Sequence, residues 1–443
     1  MSTTTSPKAT RRERWAWYMY DFGNSAYAAV VLLAVYSAYF QGAVVGGAEG
    51  SRLWGIAVGI AMLFVAVTAP ILGTIADFSG AKKRFLLFYT TMAIVFCGLL
   101  FFVQKGDWLL GMVLFILAEI GYRSAQVFYN SLLPEIAHQD EMARVSGNGW
   151  AVGSVGGIVC LLIVLIPIVI TDSNPLVLRL SLVFTALYFA ASALPAFLWI
   201  KERAEPHKLP EGENYLSLAF RRLKQTIGTV RSFREFVKFI VAFLVYNDGI
   251  LMVLDFGAIL GAVLFGMEQQ ELIIFMIIVQ VTSVVGAYLF GLLANDFGGK
   301  RSLVASLLLM LVPIVWLYFT RSRLVFYICG GLAGFALTGV QSVSRTLVGM
   351  FAPKGQSAEF YGFFAVAGRT SSFIGPTIFG LLAAWATNQY AAQGQSTLLA
   401  EQNGHRVALF SILAFLLVGL VLLLLVNEKR ARAAAQEARE TDV

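Results

Sequence analysis

The sequence is short of the residues on which soluble enzymes rely. Of its 443 residues only 13% carry charge, and there are three cysteines, three histidines and eleven prolines. So little charge excludes an ordinary soluble domain. Cys97, Cys160 and Cys329 all fall inside apolar runs. They read as small buried hydrophobes and imply neither disulfides nor a metal site. His138, His207 and His405 are all assigned to loops, which removes histidine as an intramembrane proton carrier. It also denies an intramembrane protease its Ser–His pair or metal ligands. No Gly-rich loop ends in Lys-Ser or Lys-Thr, so no ATP-driven pump is expected. A prenyltransferase would need clustered aspartates for magnesium and diphosphate, yet Asp248 and Asp255 stand two helical turns apart with no third nearby. The chain is therefore not expected to be an enzyme, and no metal or cofactor is expected.

What is present is apolar. Hydrophobic residues make up 58% of the chain, in twelve runs starting near Trp17, Leu53, Phe85, Trp108, Val145, Leu176, Phe236, Leu272, Leu303, Leu324, Phe360 and Val407. Each has about 20 residues for a membrane span. The first run is too long for a signal-peptide core and no small-residue cleavage site follows it, so it is expected to remain as an anchor. The net charge of +7 is unevenly placed. Loops on the side of the two termini hold about four times the Lys and Arg of the opposite loops, which predicts a multi-pass protein of the cell (inner) membrane with both termini cytoplasmic. The basic excess is thus a topology signal, and no nucleic-acid partner is expected.

Residues 201–233 form the one long loop on that side and divide the runs six against six. The expected organisation is an N-terminal six-helix bundle at 1–200, a linker at 201–233, a C-terminal six-helix bundle at 234–430 and a tail at 431–443. In the linker, Leu216, Phe220, Leu223, Ile227 and Val230 recur at helical spacing beside Arg221, Arg222, Lys224 and Arg231. That is the pattern of a basic amphipathic helix lying on the inner leaflet. The halves also repeat each other. Gly73-x-x-x-Asp77-x-x-Gly80-x-Lys82-Lys83 returns as Gly291-x-x-x-Asn295-x-x-Gly298-x-Lys300-Arg301. Gln126-x-x-x-Asn130-Ser131-Leu132 returns as Gln341-x-x-x-Arg345-Thr346-Leu347, and Gly156-Gly157 has a counterpart in Gly375-Pro376. The predicted fold is all-α and integral to the membrane: twelve transmembrane helices in two pseudo-symmetric six-helix bundles, with the solute path between them.

The fourth run carries the most informative pattern. Glu119, Arg123, Gln126 and Asn130 are spaced four, three and four apart, which sets all of them on one helical face. Such a face must look onto protein or a wet cavity. A structural i,i+4 pair between Glu119 and Arg123 that only holds helices in register is the competing explanation.

These features resemble the major facilitator superfamily, whose signature after the second helix is matched by Gly73, Asp77, Gly80, Lys82 and Lys83. The glycines are expected to permit a tight turn, while Asp77 meets a neighbouring helix terminus and latches the cytoplasmic side. Asn295 replaces the aspartate in the second copy, so that latch should be weaker. Within the superfamily the chain resembles the vacuole-effluxer (autophagy-related amino-acid effluxer) family and its bacterial relatives. The resemblance rests on Trp17 to Tyr27, Tyr129 to Ala137, Ser146 to Ala151, Tyr246-Asn247-Asp248-Gly249 and Gln341 to Arg345. It implies solute export, with amino acids as the family's best-known cargo, and helices 1, 4, 7 and 10 lining a central cavity. Arg123-x-x-Gln126 resembles the superfamily's helix-4 antiporter motif, with Val127 where glycine is expected. Gly149-x-x-x-Gly153-Ser154 resembles the helix-5 motif without its proline, and close helix packing is the simpler account of those glycines.

Six of the seven ionisable residues placed within spans, Asp21, Glu119, Arg123, Asp248, Asp255 and Arg345, lie on those four helices; Arg369 lies on the eleventh. At about 3 kcal/mol each, six charges facing lipid would cost roughly 18 kcal/mol, more than the stability of a typical protein, about 5–15 kcal/mol. They are expected to pair, lose charge or meet water. Arg123 and Arg345 are candidates to clasp an anionic group. Asn24, Gln126, Asn130, Asn247 and Gln341 would supply hydrogen bonds to a small polar solute. Asp248 and Asp255, ahead of Glu119 and Asp21, are candidates for a proton-coupling carboxylate. A multidrug or lipid exporter on the same fold is the alternative, and a monomer in the bilayer is the default assembly.

Overall fold

The computed structural model describes residues 10–137, 142–203, 233–352, 357–370 and 372–440, with isolated positions between 204 and 232. The amphipathic linker helix, His138 and His207 fall outside the described residues. The helices are α1 (Arg11–Val45), α2 (Gly47–Ser79), α3 (Lys82–Leu99), α4 (Trp108–Ser131), α5 (Met142–Ile170), α6 (Pro175–Trp199), α7 (Arg234–Phe265), α8 (Gln269–Phe297), α9 (Gly299–Phe319) and α10 (Arg323–Phe351). There follow α11, in two pieces Ser357–Thr370 and Ile374–Ala392, then α12 (Thr397–Leu424) and α13 (Glu428–Glu440). No strand occurs among the described residues. Eleven helices among them are long and apolar enough to cross a membrane. The run expected from Phe360 is the exception, being broken around Ser372.

By contacts the chain forms two compact units, Met1–Tyr36 with Val67–Ala219, and Ser37–Ala66 with Phe220–Val443. α1 is thus shared. It is regular over Arg11–Tyr27 and then widens into π-helical turns at Ala28–Ala34 and Phe40–Val45, on either side of the unit boundary. π-Turns insert an extra residue into the helical ladder and redirect the axis.

In the first unit α1 packs on α5 and α6, and α3 on α4 and α6. Small residues set these contacts. A Cβ at Gly149 would lie 2.3 Å from the Trp17 ring, and one at Gly156 would lie 2.2 Å from the Phe22 carbonyl. The helix-5 glycines therefore serve close packing. Thr10 and Glu13 form a capping box that starts α1. In the second unit α8 packs on α10, α7 on α12, α11 on α12 and α9 on α10. The helices also carry exposed apolar side chains, among them Val67, Phe88, Ile166 and Leu187 in the first unit and Phe319 and Leu324 in the second. In water such surfaces would aggregate; against acyl chains they are solvated.

Candidate functional site

α4 carries its polar face as the spacing predicts, and burial grades along it. Glu119 is fully buried, Arg123 and Gln126 are half-buried, and Asn130 is exposed at the end. Arg123 Nε donates to Glu119 Oε1 at 2.6 Å, and the guanidinium lies 5.4 Å above the Tyr122 ring. Tyr122 in turn stacks on Tyr27 of α1 at 4.6 Å. One carboxylate oxygen is thus committed to the guanidinium. The other, Glu119 Oε2, is buried with no hydrogen-bond partner among the described residues, as are Asn24 Oδ1 and Tyr27 Oη. Asn24 reaches Asp21 through its amide at 3.5 Å. Asp21 and Ser25 occupy the space a Cβ at Gly153 would need, with Asp21 Oδ2 at 2.6 Å. Two aromatic stacks fix α1 on α4: Trp17 and Tyr20 lie 4.4 and 4.8 Å from Tyr129. Trp17 Nε1 donates to the Tyr129 carbonyl, and Tyr129 Oη donates to the Trp17 carbonyl.

In the second unit, Asn247, Asp248 and Asp255 are all buried on α7. Asn247 donates to the Gly368 carbonyl at 3.4 Å, and the Asp255 carbonyl accepts from Trp54 Nε1 at 2.9 Å. Asp248 lies where α7 approaches Gly375; a Cβ there would sit 2.9 Å from its carbonyl oxygen. On α10, Gln341 is half-buried and Arg345 exposed, with the Arg345 carbonyl accepting from Tyr361 Oη at 3.1 Å. Tyr246 Oη and Ser344 Oγ are 2.7 Å apart, joining α7 to α10. The candidate residues thus divide between the units: Asp21, Asn24, Glu119, Arg123, Gln126 and Asn130 in the first, Asn247, Asp248, Asp255, Gln341 and Arg345 in the second.

The signature after α2 is only partly a turn. Gly80 has φ +59°, a left-handed conformation that favours glycine, whereas Gly73 lies inside α2 and needs no such freedom. The side chains of Asp77 and Asn295 are outside the description. Lys82 and Lys83 begin α3, and both backbone amides donate to the Glu202 carboxylate, at 2.7 and 3.2 Å. Lys83 Nζ donates to the Ile200 carbonyl at 2.6 Å, and Lys82 Nζ meets Glu135 at 3.4 Å. Arg203 joins Glu135 to Glu13, reaching the two Glu13 oxygens at 2.9 and 3.0 Å. The second copy repeats the device. Gly298 has φ +91°, the Lys300 amide donates to Glu428 at 3.1 Å, and Lys300 Nζ meets the Leu424 and Val426 carbonyls. A carboxylate placed just past the sixth helix of each half caps the third. Neither Glu202 nor Glu428 was among the expected residues. Their signal was the first acidic residue after the sixth and twelfth apolar runs.

One expectation is overturned. His405 is in no loop: it lies inside α12 and is fully buried, so a span does carry a histidine. A run starting near Val407 leaves Glu401, Gln402, Asn403, His405 and Arg406 outside the helix. Each of those side chains finds a tertiary or capping partner, as Gln402 does on the Val263 carbonyl and Arg406 on the Tyr318 carbonyl. That pairing lets the helix start at Thr397.

The long apolar helices, the buried ionisable groups and the cap repeated at the starts of α3 and α9, taken with the relatives that follow, make this a membrane transporter of the major facilitator type. The model for vacuole effluxer Atg22-like proteins matches residues 54–436, and the chain belongs to that family. It is 27% identical over 441 residues to the uncharacterized MFS-type transporter YxiO of Bacillus subtilis (strain 168), covering 97% of this chain and 98% of that one. It is 23% identical over 399 residues to autophagy-related protein 22 of Coccidioides immitis (strain RS), covering 73% of this chain and 66% of that longer protein. Among solved structures, an inward-facing bacterial homologue of the human lysosomal transporter Spinster superposes with TM-score 0.70 at 13% identity, covering 96% of this chain and 99% of that one. The nucleoside transporter NupG gives 0.67 at 12%, covering 93% and 99%. Identities this low establish the fold alone.

Proposed function

We propose that the protein is a secondary active transporter that exports a small polar organic solute, an amino acid or similar metabolite, in exchange for protons by alternating access. It would act as a monomer in the cell (inner) membrane with both termini cytoplasmic. The observation that carries the reading is the α4 face, where an ion pair is buried in an otherwise apolar helix and its guanidinium stays partly exposed. A partly exposed arginine can turn N–H groups toward an anionic solute, and Arg345 in the second unit would bring another guanidinium. The buried Asn24, Tyr27 and Glu119 oxygens are acceptors suited to an ammonium or hydroxyl group. Asn247, Gln341, Gln126 and Asn130 would complete the polar lining, and Asp248, Asp255 and Asp21 remain candidates for proton coupling. The effluxer name of the family favours export.

The test is uptake and counterflow in proteoliposomes against an amino-acid panel, with and without a pH gradient. Accumulation driven by the gradient is expected. Transport of cationic dyes with no amino acid moving would reassign the protein to drug export.

A further inference from the structure

The far ends of α1, α2 and α12, opposite the chain termini, meet within the second unit in a buried polar cluster to which no role has so far been given. Gln41, Ser51 and His405 are at most 2% exposed. Ser51 Oγ is 2.7 Å from His405 Nε2, and His405 Nδ1 is 2.9 Å from the Glu401 carbonyl. A carbonyl only accepts, so Nδ1 carries the ring hydrogen and the Ser51 hydroxyl donates to Nε2. One turn away, Gln41 Nε2 donates to Glu401 Oε1 at 3.0 Å and to the Gly47 carbonyl at 3.2 Å, which uses both of its amide hydrogens. α2 enters this corner through Gly50, where a Cβ would lie 2.3 Å from the Gln41 carbonyl. The corner is thus held to α12 by two side-chain hydrogen bonds.

Glu401 and Gln41 also line a cavity of about 460 Å³ with Arg321, Arg323, Gln402 and the end of α7. Glu401 is half-buried at its wall, while His405 lies behind it, fully enclosed against Phe379. The other charges facing the cluster are largely engaged. Glu49 pairs with Arg52 on α2, Arg323 with Glu271 and the end of α7, and Arg406 with the Tyr318 and Thr320 carbonyls. Asp255 is buried on α7, its carbonyl accepting from Trp54 of α2, and Ile374–Ala392 contributes no charge. Glu401 is the carboxylate placed to exchange protons between the cavity and the corner.

We propose that Glu401 is a proton-binding site and that, with Gln41, Ser51 and His405, it forms a latch whose protonation releases the α1–α2 corner from α12. Adding a proton converts the carboxylate into an acid and turns the charge-assisted bond from Gln41 into a weaker neutral one. The Gly47 bond is unaffected, so the corner keeps its own shape while its hold on α12 loosens. The meaning for transport rests on the proton-coupled reading above; the latch itself does not.

The test places spin labels at Ala43→Cys and Gln393→Cys, both exposed, in the full-length protein in lipid nanodiscs, the native cysteines being buried. From pH 8 to pH 5 the ratio of long to short label distances should rise about tenfold, the effect of one charge-assisted hydrogen bond. Glu401→Gln, a neutral acceptor at every pH, should hold the parent's pH 5 ratio throughout. Ser51→Ala should shift the ratio the same way at each pH but keep the pH response. A parent distance that ignores pH, or a Glu401→Gln variant that responds like the parent, would overturn the proposal. A pH-responsive distance in a protein whose transport ignores the pH gradient would keep the latch and sink the coupling.

Discussion

α4 and α10 occupy the same register of the repeat and do opposite things with it. Aligning Gln126 with Gln341 places Glu119 on Gly334 and Arg123 on Thr338. Where α4 buries an ion pair, α10 closes on α8: a Cβ at Gly334 would stand 2.4 Å from the Val279 carbonyl, and Ser283 Oγ donates to the Gly334 carbonyl at 3.0 Å. Thr338 turns its hydroxyl back onto that same carbonyl at 3.0 Å. The helix 1 to helix 4 contact is kept in kind, since Tyr129 stacks on Tyr20 while Ser344, at the equivalent position, bonds Tyr246. Duplication therefore preserved the joints and let the charged chemistry diverge, with the ion pair in the first unit and Asp248 and Asp255 in the second.

The largest test of that contrast is Arg123→Ala. It strands a buried carboxylate, and a loss of about 3–5 kcal/mol is expected as a lowered melting temperature. Adding Glu119→Gln should recover most of that stability without restoring transport. If transport returned as well, the pair would be a structural tie. Next is Gly334→Ala, which forces a methyl group into the Val279 carbonyl and should cost about 1–3 kcal/mol, read in the same melts. A neutral result would mean that α8 and α10 do not meet as described. Third, Glu202→Gln should lower amide protection at the start of α3 by about 1–2 kcal/mol in hydrogen exchange, because its carboxylate caps two amides. Glu428→Gln should do less to α9, where the carboxylate caps one amide and also pairs with Arg432. The smallest effect belongs to Tyr129→Phe and Tyr246→Phe, each removing one buried hydrogen bond across its joint. About 1 kcal/mol apiece is expected, and clearly unequal losses would weaken the claim that the joints are equivalent.

Much of this was legible from residue order. Helical spacing alone placed Glu119, Arg123, Gln126 and Asn130 on one face, because a 3.6-residue period leaves no other arrangement inside a span. The repeated glycine motif marked the turns before α3 and α9, although of its glycines only Gly80 and Gly298 have positive φ. The misreading of α12 shows the limit. A polar stretch such as Glu401 to Arg406 looks like loop until the groups that satisfy it are known, and those lie far away in sequence.

Residue order was enough for the all-helical membrane class and the doubled architecture, because apolar length, helical period and a repeated motif are local properties of the chain; the family followed from motifs shared with known proteins. Packing alone revealed where the π-turns of α1 pass from one unit to the other, which carboxylates cap which helices, and that His405 is enclosed. The caps and the enclosed histidine depend on hydrogen bonds between residues more than a hundred positions apart, and no local pattern records them.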